Sequence, residues 1–399
     1  MKVLMVTRGI PYPLNHGSYL RLYHLARELA LSHELHLIVL YDGQQNLNLV
    51  ENIKSIFKSV EICQVPRKSS SALVRGIMMR SARRRFIQKI NLTLEKGCFD
   101  VVHFHNSDTA YYGLGVENCS VPLVLDCVDC LSLLFKRNQK HTTSGIVQWL
   151  KCAYHSCRLA RFEKQILSFF CSTVVVSPAD ADELRNSGVL ADIRVIPNGV
   201  DTSAFSFDGE VANRAESEKR LVFIGNMDFK PNIHAMIYFV GTILPLVNKM
   251  TDDVVLQIVG GNPSSEVLRM GDVDGVEVMG YVPDVRSYLH EATVVVIPMV
   301  SGGGIKNKVL EAFSMTKAVV TTPMGIEAIE EVQDNVHALI ADTAESFACS
   351  VVRLLNDKQR RVRLGGNARF LVEEVYSWKS EAQLFTDLYE NVQALSDVN

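Results

Sequence analysis

Long apolar runs are missing from this sequence. The longest, Ile166 to Val176, is interrupted by Ser168, Ser172 and Thr173. It is too short to cross a bilayer. The amino terminus, Met1-Lys2-Val3-Leu4-Met5-Val6, reaches Arg8 without the longer apolar core of a signal peptide, and it reads as a first strand. Net charge is scant, at −3, which argues against general nucleic-acid binding. The nine cysteines are an odd number, and Cys127 and Cys130 form a C-x-x-C with no second pair. Zinc caging and a redox motif are therefore both disfavoured, and the reading is of reduced cysteines in a cytosolic protein. The loop after the first strand, Arg8 to Gly17, lacks G-x-G-x-x-G, which disfavours a nicotinamide dehydrogenase. No Asp-x-Asp pair stands where a metal role would place it.

What is present is material for two α/β domains. The chain has 399 residues, 47% of them hydrophobic, more than one ordinary core holds. Charge is uneven. Residues 1–210 carry 24 Lys+Arg against 19 Asp+Glu, and the remainder 17 against 25. Short β-branched runs alternate with amphipathic stretches such as Tyr19–Leu31. The runs are Val3–Val6, Leu35–Leu40, Val60–Val65, Val101–Phe104, Pro122–Leu125, Thr173–Val176 and Ile193–Ile196. The pattern restarts at Leu221–Ile224, Val254–Val259, Val276–Met279, Thr293–Ile297, Ala318–Thr321 and His337–Ile340. Such alternation predicts parallel sheets with helices on both faces, with ligands at the carboxyl ends of the strands. Between the two series, 206–219 is polar and aperiodic and reads as a linker. The chain ends in three helical segments, Ala344–Leu355, Gln359–Val375 and Trp378–Leu395.

The most informative stretch is Ser301 to Ala312, Ser-Gly-Gly-Gly-Ile-Lys-Asn-Lys-Val-Leu-Glu-Ala. Glycines between strand and helix let the backbone approach a ligand. The first N–H groups of the helix lack internal partners and, with the helix dipole, attract an anion. Lys306 and Lys308 add full charge. Glu311, about a turn further in, would repel phosphate, so its natural partner is a neutral hydroxyl pair such as a ribose. The alternative is a glycine turn followed by a solvated helix.

Other candidates lie at strand ends. Gly17 stands at a helix mouth followed by Arg21. His103 and His105 alternate along one strand and so share a face, with His105 nearest its end. Asp126 and Asp129 end the next strand. Lys230, in Gly225-Asn-Met-Asp-Phe-Lys-Pro-Asn232, stands at the sheet edge beside Ser301–Lys308. Arg67 to Lys89 contains eight basic residues and no acid. It reads either as a basic amphipathic helix lying on anionic lipid or as a solvated face.

Several blocks, in order and at proper spacing, resemble glycosyltransferase family 4, the group 1 sugar transferases with the GT-B fold. They are VIPNGVD at 195–201, VFIGNMDFKPN at 222–232, IVGGNP at 258–263, VEVMGYVPDVRSYL at 276–289 and GGGIKNKVLEAFSM at 302–315. The wording is similar to a subgroup tied to bacterial exopolysaccharide and PEP-CTERM systems. The resemblance implies two Rossmann-like, doubly wound parallel-sheet domains facing a cleft. Residues 1–205 would form the acceptor-side domain and 220–376 the domain that holds a nucleotide-sugar donor, with 377–399 a helix returning to the first. It implies transfer of a sugar, with retention of configuration, to a glycan or lipid-linked acceptor, with no cofactor and no metal. Together with the strand-end candidates above, the catalytic residues expected are Lys230, Asp129, Asp126 and His105. Those for the donor are Gly17, Asn226, Lys230, Tyr281, Val282, Gly303, Gly304, Ile305, Lys306, Lys308 and Glu311, with Arg21 and His105 on the acceptor side. Three departures stand out. Gly303 takes the place of the first acid of the family's E-x7-E pair, Asn226 takes a position of its basic pair, and Val128 or Asp129 stands where the family often has a histidine. A non-catalytic nucleotide-sugar-binding protein, or a GT-B nucleotide-sugar epimerase, is the rival reading.

Overall fold

In the computed structural model the chain forms two compact units. One takes in described residues of Met1–Lys136, Ser144–Asn198 and Trp378–Asn399, the other those of Arg137–Thr143 and Gly199–Ser377. The structure describes all residues except 15, 16, 42, 44, 66–71, 118, 119, 140–145, 207–218 and 397–399; side chains of 72–79, 138, 139 and 146–152 are also outside the description. Most of the expected linker, 206–219, therefore lies outside the described residues.

The first unit is built on seven parallel strands: β1 (Lys2–Arg8), β2 (Glu34–Tyr41), β3 (Ser59–Gln64), β4 (Val101–His105), β5 (Leu123–Val128), β6 (Ser172–Val175) and β7 (Asp192–Val195). Their order is β3-β2-β1-β4-β5-β6-β7. Both faces are covered, as the apolar sequences of parallel strands require. Along β1, Leu4 and Val6 enter one core and Val3 and Met5 the other. The second core is closed by two helices. Gly17–Leu29 contributes Leu22, Leu25, Ala26 and Leu29, and Trp378–Ser396 contributes Phe385, Leu388, Tyr389 and Val392.

The basic stretch contributes to a longer helix, Ala72–Lys96. Residues 67–71 lie outside the described residues. Ala82, Phe86 and Ile90 are buried in the first core, so these apolar residues serve the fold. Arg80, Arg84, Arg85 and Lys89 are exposed, and Arg83 stacks on Tyr111 at 3.1 Å from the ring centre. No helix among the described residues is long and apolar enough to cross a membrane. The seven described cysteines are free, with Cys127 and Cys130 buried. Burial pushes the Cys130 thiol up to about 12.

The second unit carries six parallel strands: β8 (Lys219–Ile224), β9 (Val254–Val259), β10 (Val276–Gly280), β11 (Val294–Ile297), β12 (Val319–Thr321) and β13 (Leu339–Ile340). Their order is β10-β9-β8-β11-β12-β13. The order reverses between β8 and β11. In sheets of this kind the crevice beyond the carboxyl ends at such a switch point receives ligands. The loops that flank it are Gly225–Phe229, after β8, and Pro298–Lys306, after β11.

Candidate donor site and a buried polar cluster

The loop after β11 leads into helix Asn307–Ser314, whose Val309, Leu310, Ala312 and Phe313 are buried. That apolar stripe fixes the helix against the sheet and aims its amino end at the switch point. The N-cap is Lys306, which makes no side-chain cap bond. A lysine side chain has no acceptor to offer the opening amides; within the turn, Val309 N donates to Lys306 O at 2.8 Å. The neighbouring helix Lys230–Tyr238 also starts without a side-chain cap, on Phe229. Several other helix starts are closed from within, although those on Thr109, Ile243 and Val285 also lack a side-chain cap. Ser177, Ser264, Thr322, Thr343 and Asp357 all cap by side chain, and Glu163 accepts from the amides of Leu131 and Ser132 in the first unit.

Two uncapped helix starts, each with lysines, thus lie together. Contact is direct: a Cβ on Gly302 would stand 3.3 Å from Cβ of Pro231, and Gly302 has φ +112°. This is a conformation and an approach suited to glycine alone. The loop is braced from within. Lys306 Nζ donates to the carbonyls of Gly303 and Gly304 at 2.7 and 2.8 Å, and the buried Ser301 hydroxyl bonds His234 Nδ1 at 3.1 Å. The loops after β8, β9 and β10 are knitted too. Met227 N donates to Gly261 O and Gly260 N to Gly280 O, both at 2.9 Å. A Cβ on Gly260 would fall 1.8 Å from the carbonyl oxygen of Gly225, so no side chain fits there.

The expected donor residues divide by exposure. Asn226 and Lys230 are exposed, while Gly303, Ile305, Lys306, Lys308 and Glu311 are half-buried and Gly304 is buried. Tyr281 is 77% exposed just beyond β10, and Val282 packs partly on the core. Lys308 Nζ donates to Asn232 Oδ1 at 2.7 Å and lies 4.1 Å from the centre of the Phe223 ring. Burial, with repulsion from Lys306, brings its ammonium down to about 7. Burial raises the Glu311 carboxyl to about 7 against the opposing pull of Lys308. Asn232 and His234 were not singled out from the sequence, and Ser301 only marked the start of the glycine stretch. Asn232 ends the VFIGNMDFKPN block at 222–232, the one signal that pointed to it.

The first-unit candidates form a different kind of cluster. Gly17 opens its helix, and Arg21, one turn on, is 1% exposed. Its Nε donates to Asp126 Oδ2 at 2.7 Å; the two terminal nitrogens reach Pro197 O, Asn198 Oδ1 and Ile196 O at 2.7, 2.9 and 3.0 Å. His105 Nε2 donates to Ser18 O at 2.9 Å, while Nδ1 faces Asp126 Oδ2 at 3.3 Å. His103 is bonded to the Tyr389 hydroxyl. Burial would raise Asp126, but the Arg21 guanidinium and His105 outweigh it and hold the carboxyl well below the usual range. One ligating atom from each of His103, His105 and Asp126 lies within 4.8 Å of the others. The guanidinium already on Asp126 would oppose a metal cation there.

Asp129 is half-buried. It follows a γ-turn, Asp129 N to Cys127 O at 2.9 Å, with Val128 at φ +67°. That conformation is strained for a β-branched residue.

Residues 17–204 match the model described as Glycosyltransferase Family 4, and residues 218–357 the model described as Glycosyl transferases group 1. The chain belongs to the family 4, group 1 glycosyltransferases. A relative that spans the whole length is an uncharacterized 44.6 kDa protein in the cps region of Klebsiella pneumoniae. It is 21% identical, covering 98% of this chain and 99% of that protein. A GDP-mannose-dependent alpha-(1-6)-phosphatidylinositol monomannoside mannosyltransferase of Mycobacterium tuberculosis is 30% identical over 50% of this chain and 56% of its own.

Among solved structures, Anabaena Alr3699/HepE in complex with UDP and glucose aligns with a TM-score of 0.70 at 15% identity, covering 98% of this glycosyltransferase and 99% of that chain. Sucrose-phosphate synthase from Thermosynechococcus elongatus gives 0.72 at 16%, over 98% and 99%. The fold of this family 4 chain is thus that of the GT-B glycosyltransferases, two parallel-sheet units.

Proposed function

We propose that this glycosyltransferase transfers a sugar, with retention of configuration, from a nucleotide-diphosphate sugar to a glycan or lipid-linked acceptor in polysaccharide synthesis. The observation that carries the reading is the pair of uncapped, lysine-bearing helix starts at the β8/β11 switch point, with Glu311 a turn beyond. Glu311 makes no side-chain hydrogen bond within the described residues, which suits an acid that accepts from a ribose diol. The capsule-region relative supports the polysaccharide setting, and the nucleotide complexes of HepE support the donor class.

In the proposed reaction the bond from the sugar's anomeric carbon to the β-phosphate oxygen breaks. A bond from that carbon to the acceptor oxygen forms. The acceptor's proton passes to the departing phosphate. Negative charge grows on the diphosphate, and Lys230, Lys306 and the amides of Gly303 and Gly304 stabilise it, without a metal. His105 and Asp126, held under the strand ends, act through the backbone they position.

The test is a panel of UDP-, GDP- and dTDP-sugars incubated with lipid-linked and glycan acceptors, read as nucleoside diphosphate release and as product anomer by NMR. One donor is expected to release its nucleotide in step with acceptor glycosylation. Release with no acceptor dependence would favour an epimerase, and binding without any release a non-catalytic role.

A further inference from the structure

Lys308 is an unusual lysine. Its ammonium points inward, and among the described residues its one hydrogen-bond acceptor is the neutral amide of Asn232. Its other close neighbours are the Phe223 ring at 4.1 Å and Gly225, where an added Cβ would stand 2.8 Å from Nζ. Asn232 is itself fixed. It is buried, and its Nδ2 donates to the carbonyl of Asn226 at 2.8 Å. The amide therefore bridges the loop after β8 to the helix after β11, and so spans the switch point. A half-buried cation answered by an amide rather than a carboxylate lacks its countercharge. It is also drawn up against the loop in which Asn226 stands where a basic residue would be expected.

We propose that Asn232 is a positioning residue that holds Lys308 under the diphosphate site, and that binding of the donor's diphosphate restores a full positive charge on Lys308 by uptake of a proton. This rests on the donor reading above and names how that site obtains its second cation. The charged groups that act on Lys308 are Lys306, which opposes its protonation, and Glu311 on the same helix, which favours it. Strand β8 presents Phe223 to it, and the loop after β8 presents Gly225. Helix Lys230–Tyr238 presents Asn232; the other titratable side chains of its first two turns are Lys230, at its exposed start, and His234, which is bonded to Ser301. In the absence of ligand the ammonium sits at about 7. A phosphate anion beside it favours the charged form, so above that pH binding and protonation are coupled.

The experiment is titration calorimetry of the full chain with UDP-glucose and GDP-mannose at pH 8.5, in buffers of different ionisation enthalpy. The diphosphate diester of these probes has no group that titrates there, and Glu311 is already ionised. The unmodified protein is expected to take up a measurable fraction of a proton on binding. Lys308→Met should abolish the uptake and weaken binding about tenfold to a hundredfold, as loss of a charged hydrogen bond does. Its ligand-free melting temperature should stay equal or rise, because an amine with a single amide partner has been replaced by an apolar side chain of similar length. Asn232→Asp should also abolish the uptake, since a carboxylate keeps Lys308 charged before ligand arrives. Binding with unchanged proton uptake in Lys308→Met, or tight binding with none in the unmodified protein, overturns the proposal and leaves the donor reading standing. Failure of every nucleotide sugar to bind the unmodified protein overturns the donor reading itself.

Discussion

Arg21→Ala is expected to destabilise the first unit by about 3–5 kcal/mol, the usual cost of removing one partner from a buried pair. The substitution leaves the Asp126 carboxylate in the interior without its guanidinium. It also strips the hydrogen bonds from Ile196 O, Pro197 O and Asn198 Oδ1. Arg21 is 1% and Asp126 0% exposed, and Ile196 and Asn198 are buried, so little water can replace the lost bonds there. Urea or thermal unfolding reads the loss. Arg21→Lys should recover little of it, since one ammonium cannot serve Asp126 and three further acceptors in the fork that guanidinium provides.

The sign of the pH dependence follows from the same cluster. The folded-state carboxyl of Asp126 lies below its unfolded value, so its contribution is present above the ordinary carboxylate range and is lost as pH falls through it. His103 is held down to about 3 by burial; the unfolded chain binds its proton first, so its neutral packing also costs stability as pH falls from about 6.5. Both groups make the first unit acid-labile, and Arg21→Ala should flatten the lower part of that slope. A variant that unfolds within about 1 kcal/mol of the parent would show that Arg21 is not the tie described.

Lys230→Ala should lower turnover about 10²–10³-fold, the usual effect of deleting one donor to developing negative charge, while donor affinity changes far less. Lys230 is exposed at the first turn of its helix, so the fold has little to lose. The distinction lies in the kinetics. A group that meets the diphosphate mainly as the leaving group forms lowers kcat, whereas a ground-state contact raises KM with kcat intact. Turnover equal to the parent would remove Lys230 from the mechanism.

Both sheets were legible because each strand is a short β-branched run between turn residues, a pattern set by local sterics and burial. The thirteen expected strands are all present. The last is shorter than His337–Ile340 because it pairs with β12 only at Val320–Leu339 and Thr321–Ile340, the edge of the sheet. The glycine loop and its lysines were legible for the same local reason: glycine, charge and helix start fall within a dozen residues.

The Lys308–Asn232 contact was not, since it joins residues 76 apart that only the strand order brings together. Arg21 shows the same limit more sharply. In sequence it is a charged residue on an amphipathic helix beside a loop, the pattern of a solvated or ligand-facing side chain. Its three backbone and amide partners at residues 196–198 lie some 175 positions on, and no local signal links them. The basic stretch shows a related limit, because Phe86 looks the same in sequence whether it faces lipid or a core.

The most direct measurement is a crystal structure of the protein soaked with the nucleoside diphosphate of whichever sugar donor it turns over. The diphosphate should rest on the amides of Gly303 and Gly304 at the start of helix Asn307–Ser314, near Lys230 and Lys308, with the ribose hydroxyls on Glu311. Density for the nucleotide elsewhere, with that loop and carboxylate untouched, would contradict the account.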